Sequence, residues 1–130
     1  MIKEKDYYQN KSIFISATNT DVGKTYVGCT LLDELLKKDT VWRPLKPVET
    51  GLDGRNVGDD TSAYMQVLKK HSIDCTVDEI NYFTLNKPCS PHLSRQLEQK
   101  ETTVEEIIRF CSSEKSFIEL AGGLMVPLNQ

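Results

Sequence analysis

The first clear pattern in the chain is a short apolar run. Residues 12–17 (SIFISA) are mostly apolar and do not alternate, which is typical of a parallel strand covered on both faces. A turn over residues 18–23 follows, and a helix is predicted from there to Lys38. The apolar positions of this helix repeat every fourth residue at Val27, Leu31 and Leu35, beside Leu32 and Leu36. The chain therefore begins as strand, loop and helix.

The same order of elements is predicted a second time. Residues 40–46 form a second strand, in which Pro44 cannot donate to a ladder and fits best at a sheet edge or a strand end. Residues 48–58 contain three glycines among polar side chains, which predicts a loop. Helical spacing resumes over residues 60–70, and Asp60 is expected at the N-terminus of that helix.

Helix-start signals mark the second half of the chain. Ser90 resembles an N-cap and Pro91 a first helical residue. Thr103 and Glu106 have the spacing of a capping box. The helix that Thr103 opens has its apolar residues at Val104, Ile107, Ile108 and Cys111. Residues 117–120 form a last short strand, which runs into an Ala-Gly-Gly turn.

Alternating strands and helices predict an α/β fold with a mostly parallel sheet flanked by helices. The 130 residues are 38% hydrophobic and 27% charged, which is the composition of one globular domain. We expect a polar leader over residues 1–11 and a single domain over residues 12–130.

Charge and hydropathy exclude several function classes. The net charge is -3, and basic residues are scattered among acidic ones, which argues against nucleic acid as a main partner. No apolar run approaches the roughly 18 to 20 residues that span a bilayer, and residues 1–11 lack the apolar core of a signal peptide. We therefore expect no membrane partner and a cytoplasmic location.

The four cysteines are widely spaced and include no C-x-x-C pair, so the sequence shows neither a zinc site nor a redox motif. We interpret them as ordinary reduced thiols. They are Cys29, Cys75, Cys89 and Cys111.

The segment 17–25 (ATNTDVGKT) resembles a phosphate-binding loop, because Gly-Lys-Thr lies between a predicted strand and a predicted helix. Backbone N–H groups at the start of the helix would face phosphate oxygens, and the helix dipole favours negative charge there. Lys24 would add a positive charge, and Thr25 would offer a hydroxyl ligand to Mg²⁺. The strict pattern is not met, since position 18 is Thr, and the alternative is a turn before a helix that begins with Lys.

Three charged residues complete the predicted site. Lys46 stands at the carboxyl end of the second strand, the edge at which open parallel sheets bind ligands. Asp60 and Glu119 are the carboxylates expected near Mg²⁺. Lys46 alone could be a surface lysine and Asp60 a helix N-cap, and the sequence does not decide between Asp59 and Asp60 as the metal ligand. Glu119 stands at the end of an apolar strand, before Ala-Gly-Gly, where an unpaired carboxylate would be costly to bury, so we expect it to meet a cation.

Four stretches, ATNTDVGKT, KPVETG, GDDTSAY and ELAGG, with Ser-Pro-His between them, resemble the dethiobiotin synthetase family in order and spacing over about residues 12–128. This resemblance implies a P-loop enzyme that uses ATP and Mg²⁺. It implies 7,8-diaminopelargonic acid and CO₂ as substrates, dethiobiotin, ADP and phosphate as products, and a homodimer. A carbamate of one amine is phosphorylated, and the other amine closes the urea ring.

The resemblance also implies roles for individual residues. The catalytic residues would be Lys46, Lys24 and Thr20. Of these, Lys24 and Thr20 would hold the γ-phosphate, whereas Lys46 would face the carbamate together with Thr50. Ser90 and Pro91 would lie near the substrate, with His92 structural. The nucleotide would contact Asp21, Val22, Gly23, Lys24, Thr25 and Tyr26, and Mg²⁺ would contact Thr25, Asp60 and Glu119.

Three positions depart from the family pattern. Ala17 replaces a usual Gly, Asn19 a usual Asp, and Leu120 a Gly whose replacement is expected to crowd the site. Complete members are considerably longer than 130 residues, so we expect a C-terminally truncated chain that can be inactive by itself.

Three alternatives stay open. The first is a minD or partition-type P-loop ATPase switch, although Thr18 stands where such proteins usually carry Lys. The second is a related amide-forming synthase such as the cobyrinic acid a,c-diamide synthases. The third is a module with a degenerate nucleotide site.

Overall fold

A computed structural model describes residues 11–38, 41–113 and 115–128 of the chain. The predicted leader lies outside the described residues except for Lys11. The strands are β1 (Ile13–Ile15), β2 (Arg43–Leu45), β3 (Val48–Thr50), β4 (Phe83–Leu85) and β5 (Ser116–Glu119). The helices are α1 (Lys24–Lys38), α2 (Asp59–Lys70), α3 (Val77–Ile80), α4 (Pro91–Glu98) and α5 (Val104–Cys111).

All strand pairs of the described residues are parallel. One sheet has the order β1-β5-β2, so the strand that comes last in sequence lies at its centre. Phe117 of β5 is opposite both Ile13 and Pro44. A second sheet pairs β3 with β4, with Val48 opposite Phe83. The predicted α/β fold with parallel sheets and flanking helices is confirmed, and Pro44 does lie in a strand at the edge of its described sheet.

The core lies where α1 and α2 pack on β5. Leu32 and Leu36 of α1 are buried together with Leu68 of α2 and Phe117 of β5. Burying a side chain of this size contributes about 1.5 to 3 kcal/mol relative to leaving it exposed. The remaining buried members of this cluster are Trp42, Tyr64 and Ile80. The core thus holds together the two helices whose N-termini carry the predicted site residues.

Four predictions about the elements were wrong. The loop predicted over 48–58 begins with a strand, β3, because Val48–Thr50 pairs with β4. The strands predicted over residues 12–17 and 40–46 are longer than the observed β1 and β2, which have three residues each. The buried row of α1 is Gly28, Leu32 and Leu36, whereas Val27 and Leu31 are exposed. Phe14 is 62% exposed, so β1 is not covered on both faces by the described residues.

The helix starts of the second half are confirmed. Thr103 accepts from the backbone N–H of Glu106, and the Glu106 side chain returns to the backbone N–H of Thr103. Pro91 occupies the first turn of α4 after Ser90, which makes no side-chain cap bond. No residue of α5 is fully buried. The apolar side of α5 instead lines an open groove of about 460 Å³, together with Phe14 and part of the segment 118–128.

Candidate functional site

The segment between β1 and α1 is folded as a phosphate-binding loop requires. Gly23 adopts a φ of +95°, which favours glycine, immediately before the first residue of α1. The turn after β5 fixes the other side of the loop. Leu124 donates its backbone N–H to the carbonyl of Ala17 at 2.8 Å. A Cβ atom on Gly123 would lie 2.6 Å from the carbonyl oxygen of Thr18, so only glycine permits this close packing.

Polar groups inside the loop hold its shape further. Lys24 Nζ donates to the carbonyl of Asn19 at 3.0 Å, so the ammonium folds back over the loop. The side-chain oxygen of Asn19 accepts from the backbone N–H of Thr20 at 2.8 Å. Asn19, one of the three departures, therefore supports the loop with both its side chain and its carbonyl. The ammonium of Lys24 lines the cleft in front of the loop.

Beside the loop, four predicted residues, Thr25, Lys46, Asp60 and Glu119, form one cluster. Thr25 Oγ1 donates to Asp60 Oδ1 at 2.6 Å and lies 3.0 Å from Glu119 Oε1. Lys46 Nζ lies 2.7 Å from Asp60 Oδ2 and 2.8 Å from Glu119 Oε1. Lys46 and Glu119 are buried, and Asp60 is partly buried. Asp59 instead points to solvent and pairs with Arg55, so the geometry places Asp60 and not Asp59 in the cluster.

The charges in this cluster stabilise one another. Burial alone would lower the pKa of Lys46, but the charges of Glu119 and Asp60 outweigh burial and raise it. Burial alone would raise the pKa of Asp60, but the charge and hydrogen bond of Lys46 outweigh it, and the pKa is lowered. Lys46 is therefore a cation and Asp60 an anion throughout the neutral pH range. A site of this kind is ready to bind charged ligands.

Main-chain contacts fix Lys46 at the end of β2. Its backbone N–H donates to the carbonyl of Ile80 at 2.7 Å, at the end of α3. Its carbonyl accepts from Asn81 Nδ2 at 2.7 Å, and Asn81 is buried. Because both backbone groups are held, the direction of the lysine side chain is set by the fold rather than by the ligand.

Sequence reasoning missed the role of Glu49. This buried carboxylate on β3 accepts from the backbone N–H of Asp60 at 2.8 Å and from the N–H and hydroxyl of Thr61. It therefore caps α2, whose own N-cap residue is Gly58 and has no side chain. A Cβ atom on Gly58 would lie 2.1 Å from the carboxyl carbon of Glu49. The glycine before Asp59 was a sequence signal that the cap had to come from elsewhere.

Sequence reasoning also missed the role of Tyr64, which lies within the helix predicted over residues 60–70. The Tyr64 hydroxyl donates to Glu119 Oε2 at 2.6 Å, and the residue is fully buried. A Cβ atom on Gly28 would lie 2.1 Å from this hydroxyl oxygen, so the glycine in α1 makes room for it. No sequence signal identifies the pair, since the contact joins residues 55 positions apart.

A cleft of about 420 Å³ opens in front of the loop. It brings together most of the predicted site residues: Thr20, Asp21, Gly23, Lys24, Thr25, Tyr26, Lys46, Thr50, Asp60 and Glu119. Val22, Ser90 and Pro91 do not line it. Val22 is 55% exposed, and the segment before Pro91 packs near Gly51, where a Cβ atom would lie 3.4 Å from Pro88.

Leu120 does not crowd this cleft. Its backbone N–H donates to the carbonyl of Ile15 at 3.0 Å, which continues the pairing of β5 with β1. The leucine lines the apolar groove beside α5 and is absent from the cleft lining. The expected clash at this position was therefore wrong.

The donor set of the cluster fits Mg²⁺. The Thr25 hydroxyl lies within hydrogen-bond distance of one oxygen from each of Asp60 and Glu119, so three hard oxygen atoms converge. Among the described residues, no three His, Cys, Asp or Glu side chains come together. Mg²⁺ beside a nucleotide usually takes only one or two protein carboxylates, so a smaller donor set is what such a site needs.

A family model described as an AAA domain matches residues 11–130. The chain belongs to this AAA-domain family. Curated relatives of the AAA-domain chain include the ATP-dependent dethiobiotin synthetase BioD of Anoxybacillus flavithermus, which is 32% identical over 126 residues, covering 91% of this chain and 54% of that protein. The BioD of Wolinella succinogenes is 34% identical over 125 residues, which cover 91% of this chain and 57% of that protein. The BioD of Leptospira interrogans is 36% identical over 122 residues, which cover 92% of this chain and 51% of that protein.

These relatives confirm the predicted resemblance to the dethiobiotin synthetases. The AAA-domain chain spans about half the length of the curated relatives that it matches. These relatives are named as ATP-dependent, and the family matched over residues 11–130 is described as an AAA domain. In the part of the chain that the structure describes, no helix is long and apolar enough to cross a membrane.

Proposed function

We propose that this chain forms the phosphate-binding part of a dethiobiotin synthetase. The reaction is the carboxylation of 7,8-diaminopelargonic acid with CO₂, phosphorylation of the carbamate by ATP, and closure of the urea ring by the second amine. ADP and phosphate leave. The observation that carries the proposal is the buried cation Lys46, held between Asp60 and Glu119 beside the loop lysine.

In this proposal the loop and Lys24 bind the phosphates. Residues at the start of α1 line the cleft, where free backbone N–H groups and the helix dipole favour negative charge. Lys24 and Thr20 line the same cleft and would hold the γ-phosphate. Mg²⁺, when bound by Thr25, Asp60 and Glu119, would neutralise charge on the phosphate oxygens.

Lys46 and Thr50 would hold the carbamate. Both line the cleft, and Lys46 lies next to the carboxylates that would hold the metal. A fixed ammonium there stabilises the negative charge of the carbamate. It also stabilises the negative charge of the phosphoryl group that the carbamate attacks. Because its backbone is held by α3 and Asn81, the ammonium requires little reorganisation when the reaction begins.

Three finer points belong to the same proposal. Ser90 and Pro91 would approach the rest of the substrate, as the resemblance to the synthetases implies, through the segment that packs near Gly51. The enzyme would act as a homodimer in the cytoplasm. The homodimer is supported only by the family resemblance, and the cytoplasmic location by the hydropathy of the sequence.

Release of ADP tests the proposal. The longest chain that the gene encodes is incubated with Mg²⁺-ATP and bicarbonate, with and without the diamine. We expect release that requires the diamine and is lost in Lys46→Ala, whereas Lys69→Ala on the exposed side of α2 keeps it. Equal release without the diamine would indicate a P-loop switch, and no release a degenerate module, and either result would overturn the proposal.

A further inference from the structure

The two oxygens of the Glu119 carboxylate have different partners among the described residues. Glu119 Oε1 faces Thr25 Oγ1 at 3.0 Å and Lys46 Nζ at 2.8 Å. Glu119 Oε2 instead accepts from the Tyr64 hydroxyl at 2.6 Å. Because Glu119 is itself fully buried, the hydroxyl of Tyr64 takes the place that water would have on an exposed carboxylate.

The fold is built around this hydroxyl. Tyr64 is fully buried, and its ring packs edge-on against Phe117 of β5 with 6.2 Å between the ring centroids. Gly28 leaves the space that the hydroxyl fills, since a Cβ atom would lie 2.1 Å from the hydroxyl oxygen and 3.2 Å from Cζ. A phenylalanine would satisfy the apolar part of this packing. Among the residues that the structure describes, the hydroxyl adds the bond to Glu119, and a buried hydroxyl requires such a partner.

We propose that Tyr64 is a positioning residue for the metal-binding carboxylate Glu119. By holding Oε2, it prevents rotation of the carboxylate and presents Oε1 alone to Thr25, Lys46 and a bound cation. This inference rests on the proposed function, because it needs Mg²⁺ with a nucleotide in the cleft.

The hydroxyl should matter more for the metal than for the nucleotide. Tyr64 does not line the cleft, so it touches neither the phosphates nor the substrate. Without the hydroxyl, the carboxylate is free to turn, and Oε2 is left buried without a donor. A loss of preorganisation at one metal ligand is expected to weaken binding of the cation by about tenfold, the lower end of the effect of losing a partner of a metal ligand.

The test is the substitution Tyr64→Phe in the full chain. Binding of a non-hydrolysable ATP analogue is measured by calorimetry over a range of Mg²⁺ concentrations and again in EDTA. We expect the Mg²⁺ concentration for half-maximal enhancement to rise about tenfold, while the affinity in EDTA stays unchanged. Tyr82→Phe is the matched control, because Tyr82 is 41% exposed and packs on Phe110 away from the cleft.

A second variant reaches the same contact from α1. Gly28→Ala keeps the hydroxyl but places a methyl group where it lies, so it should also raise the Mg²⁺ requirement. In the Tyr64→Phe background it should add little further effect, since the displaced group is already gone. In a chain that already carries Glu119→Gln, Tyr64→Phe should have no further effect on the Mg²⁺ requirement.

The outcomes separate the two proposals. An unchanged Mg²⁺ requirement in both Tyr64→Phe and Gly28→Ala would overturn the positioning role alone. An equal loss of affinity with Mg²⁺ and in EDTA would also overturn it, because general distortion of the site would then be the cause. A wild-type chain whose nucleotide binding ignores Mg²⁺ would overturn the proposed function and this inference with it.

Discussion

Replacing Lys46 with methionine tests the charge balance of the site most directly. The ammonium lies 2.7 Å from Asp60 and 2.8 Å from Glu119, and the residue is only 3% exposed. Methionine keeps an apolar stem of similar length but removes the charge. The Lys46→Met variant therefore leaves two carboxylates on either side of a position without a cation.

The size of the effect follows from burial. Removing one partner of a buried ion pair costs about 3 to 5 kcal/mol. The Asp60 side chain is 34% exposed, so water screens part of its charge, and we expect the lower end, about 3 kcal/mol. This is a large share of the roughly 5 to 15 kcal/mol that stabilises a domain. The melting temperature should fall by about 10 °C or more.

The dependence on pH has a definite sign. In the wild type, Lys46 holds the pKa of Asp60 below its usual value. The stability from this pair is therefore present above the unfolded pKa, near about 3.9, and is lost as the pH falls through the lower folded pKa. In Lys46→Met the carboxylates repel each other, and protonation relieves the repulsion. The loss in free energy of unfolding relative to the wild type should be largest near neutral pH and should shrink toward about pH 4.

Urea unfolding checks both points, near neutral pH and again at about pH 4.5, with and without Mg²⁺. Mg²⁺ should stabilise Lys46→Met more than the wild type, because it supplies the missing cation between the carboxylates. Lys69→Met, an exposed position on α2, is the control and should change little. Equal stability of Lys46→Met and wild type near neutral pH, or a deficit that grows on acidification, would refute the reasoning.

Three further predictions concern other parts of the site. Lys24→Ala should weaken binding of a fluorescent ATP analogue about tenfold or more. The circular dichroism spectrum should stay unchanged, because the Lys24 ammonium bonds a carbonyl of the exposed loop and is not part of the hydrophobic core cluster. Gly58→Ala should destabilise the chain by about 1 to 3 kcal/mol in urea unfolding, because the new methyl group meets the Glu49 carboxylate. Burial, aided by the charge of Glu119, raises the pKa of Cys29 to about 11. Peptide mapping should therefore show almost no alkylation of Cys29 at neutral pH, and ready alkylation there would contradict this assignment.

The edge of the sheet that carries the site could be predicted from the sequence. Lys46, Asp60 and Glu119 come from three separate segments, yet each lies at the end of a strand or the start of a helix at the carboxyl edge of a parallel sheet. Elements of that kind meet at the carboxyl edge of an open α/β sheet, so residue type and position indicated a common site, while the surface-lysine and N-cap alternatives stayed open. The structure brings all three together through Lys46, which lies within hydrogen-bond distance of both carboxylates.

The supporting contacts could not be predicted in the same way. Glu49 caps a helix from a neighbouring strand, and Tyr64 reaches Glu119 through a gap left by Gly28. Such contacts depend on how helices lie on the sheet, which no local pattern encodes. The exposed Val27 of α1 has the same cause, since the face of a helix that is buried depends on what packs against it.

The central place of β5 has a consequence for the order of folding. Thr25 and Glu119 are 94 residues apart in sequence, and β5 must insert between β1 and β2 before they meet. During synthesis on the ribosome, the phosphate loop therefore emerges long before the strand and the Gly123 turn that shape it. Long-range parallel pairing is also slow to form. Under the proposed function, the phosphate site is therefore finished only once β5 is seated between β1 and β2.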